Sequence, residues 1–112
     1  MAVPKDELAE VERFCEERTP PDLRDQMRLE CSVRGAAITI VERRAPWNPR
    51  LGSDWTTSHV AQLRHDGAEG IWSLHSRGSD DRWHPYDRIK PGRSVTRLLA
   101  EIDTDPTGIF WG

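Results

Sequence analysis

The feature that most constrains the fold is a run of short strand patterns lying between two helical patterns. Residues 27–35 alternate, with Leu29, Cys31 and Val33 on one side and polar residues between them, which is the period of a half-buried strand. Residues such as Gly, Asn, Asp and Pro, which favour turns, separate four later strand patterns. These patterns cover residues 36–44, 59–66, 70–76 and 82–87. Turns joining consecutive strands are typical of an antiparallel sheet.

Helical spacing marks the two ends of the chain. The first pattern predicts a helix over residues 4–18, which Pro20 and Pro21 end because proline cannot continue the hydrogen-bond ladder. The second pattern, within residues 91–103, predicts a helix that has Ser94 as its N-cap. Its apolar residues follow i, i+3, i+4 and i+7 spacing: Val95, Leu98, Leu99 and Ile102. The whole order predicts an α+β fold, an antiparallel sheet of four to five strands packed on one face by an N-terminal and a C-terminal helix.

The length of 112 residues predicts a single compact domain over residues 1–112. The charged fraction is 31% and the apolar fraction only 36%, but five Trp residues supply bulky core material, which argues against a disordered chain. The longest apolar runs are far shorter than the ~20 residues of a membrane span. The N-terminus lacks the apolar stretch of a signal peptide. We therefore expect a cytoplasmic protein without membrane association, in which Cys15 and Cys31 are reduced thiols.

The C-terminus ends on its most apolar tripeptide, Ile109, Phe110 and Trp111, after an Asp-Pro-Thr-Gly turn. Chain ends are usually polar and frayed. We predict that the turn reverses the chain, so that Phe110 and Trp111 are largely buried against the second helix or the sheet edge. The alternative is an exposed anchor for a partner protein or a second copy. A homodimer would form through this tail or through a sheet edge.

Several longer stretches resemble a family of small bacterial proteins, common in actinobacteria, that is known only as a domain of unknown function. The similar stretches are "CEERTPPDLRDQMRLECSV", "ITIVERRAPW", "WSLHSRGSDDRWHPYD" and "LLAEIDTDPTGIFWG". The closing Asp-Pro-x-x-Ile-Phe-Trp-Gly element is the most specific of them. The resemblance covers nearly the whole chain and implies one compact domain, but it assigns no catalytic residue.

One candidate catalytic set lies on the fourth and fifth predicted strands. If the segment "SRGSDD" forms the hairpin loop, residue 75 lies opposite residue 82. Cross-strand pairing would then place five polar side chains on one face and leave Trp83 in the core. These side chains are Ser73, His75, Arg82, His84 and Tyr86. His, Arg and Tyr are suited to acid–base chemistry and phosphate binding, and ribonuclease toxins of the RelE type use similar residues. The alternative interpretation is an ordinary polar sheet face.

A candidate binding site lies around the Pro- and Gly-rich loop between the second and third strands. Two tryptophans and three arginines lie close together in it: Arg43, Arg44, Trp47, Arg50 and Trp55. Aromatic rings can stack nucleic-acid bases while arginines hold phosphates. The surrounding residues 26–97 carry twelve basic and eight acidic side chains, within a chain of net charge −3. The alternative role of the tryptophans is to hold a long loop against the sheet.

No motif indicates a cofactor or a nucleophile. The four histidines lack the short paired spacings of a zinc site, and neither a phosphate-binding glycine loop nor a nucleophile elbow is present. We therefore expect no metal and no cofactor. The first functional hypothesis is a non-catalytic binding module for a protein or nucleic-acid partner. The alternative is a small ribonuclease that uses His75, Arg82, His84 and Tyr86.

Overall fold

A computed structural model describes residues 3–46, 48, 50, 52 and 54–111. The described chain has an α+β fold, with a helix at each end of a five-stranded antiparallel sheet, as predicted. A short 3₁₀ turn, Pro21–Leu23, follows the first helix. The elements are α1 (Lys5–Glu17), β1 (Met27–Arg34), β2 (Ala37–Arg44), β3 (Thr56–Asp66), β4 (Ile71–Arg77), β5 (Trp83–Pro85) and α2 (Val95–Thr104).

The sheet is a meander in which each strand pairs with the next along the chain, in the order β1-β2-β3-β4-β5. The β1–β2 hairpin turns at Gly35, whose φ of 60° favours glycine at the first position of a two-residue turn. A register shift between Ile40 and Val41 leaves one extra residue in β3. Val60 and Ala61 are consequently both buried although they are neighbours in the strand.

The core lies between the sheet and the two helices, which cover the same face. From α1 it receives Val11, Phe14 and Cys15. The apolar residues of α2 are buried at the predicted positions: Val95, Leu98, Leu99 and Ile102. The sheet contributes fully or almost fully buried side chains: Ile38, Ile40, Leu63, Trp72 and Leu74. The indole N–H of Trp72 donates a hydrogen bond to the Glu7 carboxylate, so the polar atom of the largest core side chain is satisfied.

The start of α2 differs from expectation in one respect. Ser94 is the N-cap residue, as predicted, and has an extended backbone, but its side chain forms no capping hydrogen bond.

At the other end of α2, the C-cap residue Asp105 follows Thr104 and has the left-handed φ of 42°. This conformation is more often adopted by glycine.

Asp105 also organises the C-terminal tail. Its carboxylate accepts hydrogen bonds from the backbone N–H groups of Phe110 (3.2 Å) and Trp111 (3.0 Å). Phe110 is buried and its ring lies 5.0 Å from that of Tyr86, centroid to centroid, which confirms that it folds back onto the domain. The prediction for Trp111 is wrong: it remains 38% exposed, and its indole N–H donates to the Ile102 carbonyl at 2.7 Å.

Candidate functional site

The face of the sheet away from the helices carries most of the polar chemistry of the strands, and we call it the open face. Strand side chains alternate between faces, so the buried residues and the strand register assign each position. The polar and aromatic residues of the open face are Arg28, Glu30, Ser32, Arg34, Thr39, Arg43, Thr57, His59, Gln62, Arg64, Asp66, Ser73, His75, Arg77 and Trp83. Trp55, immediately before β3, extends this face.

The open face is basic although the chain is acidic. It carries five arginines and two carboxylates, a net charge of +3, whereas the whole chain carries −3. One carboxylate, Asp66, is occupied by the β3–β4 turn, where it accepts a hydrogen bond from the backbone N–H of Ala68. The other, Glu30, lies 3.7 Å from Arg43. Since the whole chain carries −3 and the open face +3, the remainder of the chain carries a net charge of −6.

Two Arg–Trp pairs lie on the open face, one joining β1 to the start of β3 and the other joining β4 to β5. The Arg28 guanidinium lies over the Trp55 ring at 4.5 Å from its centroid. The Arg77 guanidinium lies over the Trp83 ring at 5.2 Å, and the His59 ring meets Trp83 edge-on at 5.7 Å. A guanidinium above an indole ring can still donate hydrogen bonds through the N–H groups in its own plane, so each pair combines an aromatic surface with a cation.

Toward the β1–β2 turn, hydrogen bonds connect polar side chains of the open face. Arg64 Nε donates to Gln62 Oε1 at 2.7 Å, and Gln62 Nε2 donates to Thr39 Oγ1 at 3.0 Å. On β4, Ser73 Oγ and His75 Nε2 are 2.9 Å apart. The Gln62–Thr39 bond joins β3 to β2, and the other two contacts orient neighbouring side chains within β3 and within β4.

His75 is the one buried histidine among the described residues, with 7% of its surface exposed. Burial, reinforced by the nearby positive charge of Arg64, lowers the pKa of His75 to about 4. The imidazole is therefore neutral at physiological pH. It adds hydrogen-bonding capacity to the open face without adding charge.

The described residues contain three buried side-chain polar atoms without a hydrogen-bond partner, and all three belong to the open face. They are Arg43 Nε, His75 Nδ1 and Arg77 Nε. Buried polar groups in proteins are nearly always paired, so each exception calls for a physical account. Here the three atoms lie beneath neighbouring side chains of the open face and make no hydrogen bond.

The predicted binding residues divide between the two faces. Arg43 and Trp55 belong to the open face. Arg44 points to the opposite side, where its Nε donates to Glu42 at 2.6 Å. Arg50 is exposed in the loop, and Trp47 lies outside the described residues. The structure thus brings together two members of the predicted set and separates Arg44 from them.

The predicted catalytic face is wrong in its register. The prediction placed His75 opposite Arg82, whereas the structure pairs His75 with Pro85 and Ser76 with His84. The observed pairing of β4 with β5 is therefore shifted by three residues from the predicted pairing. Because strand side chains alternate, an odd slip reverses the face of every residue on β5. His75 and His84 consequently lie on opposite faces of the sheet.

The other members of that set are engaged separately. His84 Nε2 lies 3.0 Å from the Asp80 carboxylate, a contact that lowers the pKa of Asp80. Tyr86 is buried on the helix-covered side and donates to Glu101 at 2.7 Å; burial, followed by this hydrogen bond, raises the pKa of Tyr86. Arg82 is exposed in the turn before β5. The structure therefore does not assemble the four residues into one acid–base site.

Several open-face residues did not enter the predicted sites. Arg28, Arg64, Arg77 and Trp83 lie on four different strands, and only their pairing brings them onto one surface. The alternation of residues 27–35 does place Arg28 on the side of β1 away from Leu29, so the face of Arg28 could have been predicted from the sequence. Trp83 was expected in the core, and the same register error explains that assignment.

Among residues 3–46, 48, 50, 52 and 54–111, no group of three or more His, Cys, Asp or Glu side chains is close enough to hold a metal ion. Neither α1 nor α2 has the length and apolar character that a bilayer-spanning helix requires.

Comparison with known proteins gives one match. A family described as a domain of unknown function (DUF3024) matches residues 2–112. The searches of curated proteins and of solved structures found no match.

Proposed function

The chain belongs to the DUF3024 family of domains of unknown function, and we propose that it is a non-catalytic binding module that holds an anionic partner on the open face. The observation that carries this proposal is the contrast in charge: a face of net +3 on a chain of net −3. Clustering of one sign of charge on one face concentrates the field there and attracts a partner of the opposite sign.

The chemistry of the cations supports an anion as the partner. All five positive charges of the open face are arginines, whose planar guanidinium donates two parallel hydrogen bonds to a phosphate or carboxylate. Among them, Arg34 is exposed at the β1–β2 turn, and Arg43 lies further along the same hairpin. The distribution spans the sheet instead of forming one pocket, which suits an extended polyanion better than a small ion.

Retention on immobilised heparin, a sulfated polyanion, tests the proposal. Despite its acidic net charge, the protein should bind at low salt. Arg34→Ala and Arg43→Ala should each elute at lower salt than the wild type. Arg13→Ala is the matched control, since Arg13 is exposed on α1 and its loss changes the net charge equally.

Two results would count against the proposal. The first is passage of the wild type through the column at low salt. The second is an equal effect of Arg13→Ala and Arg43→Ala, which would show that overall charge and not the open face governs retention. Circular dichroism of each variant verifies that the fold is retained.

A further inference from the structure

The two Arg–Trp pairs are the feature of the open face that simple charge attraction does not explain. Binding a polyanion requires only cations, yet Trp55 and Trp83 place large aromatic rings, half-buried, on a polar surface that no helix covers. Each ring is already held by a guanidinium, so its orientation is set before any ligand arrives. Such preorganised π surfaces suit planar, unsaturated ring systems.

Exposed cations share this face with the two rings. Arg28, Arg34 and Arg64 are exposed on the open face, and phosphate oxygens are natural acceptors for their N–H groups. Thr39, Gln62 and Ser73 add neutral hydrogen-bonding groups to the same face, which suit the edges of bases. Cations, aromatic rings and neutral polar groups therefore share one surface.

On the basis of the proposed function, we infer that the anionic partner is a single-stranded nucleic acid, whose bases stack at the Arg28–Trp55 and Arg77–Trp83 pairs while its phosphates contact the arginines of the same face. Trp55 directly precedes β3 and the Trp83 ring meets His59 of β3, so both pairs lie beside the first half of that strand. A few nucleotides cover this part of the surface, near the lower end of the site sizes of single-strand-binding folds.

A duplex fits this surface poorly. The bases of a duplex are stacked on one another, so they are not available to Trp55 or Trp83. Reading a duplex through its major groove requires a helix or a two-stranded ribbon that enters the groove. The open face is instead the exposed side of a five-stranded sheet, a form on which unstacked bases can lie.

Fluorescence anisotropy with labelled RNA and DNA oligonucleotides of about ten nucleotides tests the inference. The single strands should bind and the corresponding duplex should bind more weakly. Trp83→Ala and Trp55→Ala should each reduce affinity about 5- to 150-fold, the range for losing one stacked base. Trp83→Phe keeps an aromatic ring and should stay within about fivefold of the wild type. Trp111→Ala removes a tryptophan of the C-terminal tail, outside the open face, and is the control.

The salt dependence separates the two kinds of contact. If all five arginines contact phosphates, log K should fall with log salt with a slope of about −3.5, and Arg43→Ala should reduce that slope by about 0.7. Trp83→Ala should leave the slope unchanged. Retention on heparin without oligonucleotide binding, or equal binding of single strands and duplex, would overturn this inference while leaving the proposed function intact. Absence of both heparin and oligonucleotide binding would overturn both.

Discussion

Acidification from pH 6.5 to 4 should destabilise the protein through His75. His75 exposes only 7% of its surface. Burial and, to a smaller extent, the positive charge of Arg64 lower the pKa of its imidazole from 6.5 to about 4. Above pH 6.5 the histidine is neutral in both the folded and unfolded states. Between pH 6.5 and 4 the unfolded state binds a proton that the folded state does not, so the free energy of unfolding falls as the pH falls.

The size of the effect follows from the shift in pKa. One unit corresponds to about 1.4 kcal/mol, so a shift from 6.5 to about 4 gives a loss of about 3 kcal/mol once the pH is below both values. This is a substantial part of the 5–15 kcal/mol that typically stabilises a domain. The carboxyl groups of Asp80 and Asp103 have pKa values below the usual Asp value of 3.8. Their contributions to stability are therefore lost as the pH falls below about 3.8, outside the range from pH 6.5 to 4 in which His75 acts.

Urea denaturation at pH 7 and at about pH 4.5 measures the difference, with the loss between them expected near 2–3 kcal/mol. His75→Gln removes the titrating group and should flatten the dependence between these pH values, even if the variant is less stable overall. His59→Gln replaces an exposed histidine of the same face and should retain the wild-type dependence. A wild type whose stability is constant over this range, or a His75→Gln variant that keeps the full loss, would refute the reasoning.

Three further predictions concern the helix-covered side. A thiol reagent should modify Cys31 and spare Cys15 until unfolding, since the hydrogen bond that Cys15 donates to Cys31, followed by burial, raises the pKa of Cys15. Cys31→Ser should abolish the native-state reaction. Phe110→Ala should lower the free energy of unfolding by about 2–3 kcal/mol, because the ring is buried. The midpoint of a thermal scan should fall by roughly 8–12 °C. An unchanged midpoint would mean that the tail is undocked in solution. Tyr86→Phe should cost about 1–2 kcal/mol in urea denaturation by removing the hydrogen bond to Glu101, and no cost would contradict that contact.

The sequence by itself determined the type and order of the elements. Apolar spacing in α1 and α2 and strict alternation in β1 are local properties, set by the 3.6-residue and two-residue periods of the backbone. The side of β1 that carries Arg28 followed from the same alternation. Turn residues such as Gly35, whose positive φ suits glycine, marked where strands end. The α+β fold with its antiparallel sheet could therefore be predicted before any pairing was known.

Only the tertiary structure decided which side chains share a surface. The register of β4 with β5 depends on how the intervening turn closes around Asp81, which adopts a φ of 61°, and neither spacing nor propensity specifies that closure. A slip of three residues moved His84 to one face and Trp83 to the other. The candidate site joins Arg28 of β1 to Trp83 of β5, residues 55 positions apart in the chain. They meet on one face because backbone hydrogen bonding aligns five strands side by side while both helices bury the opposite face.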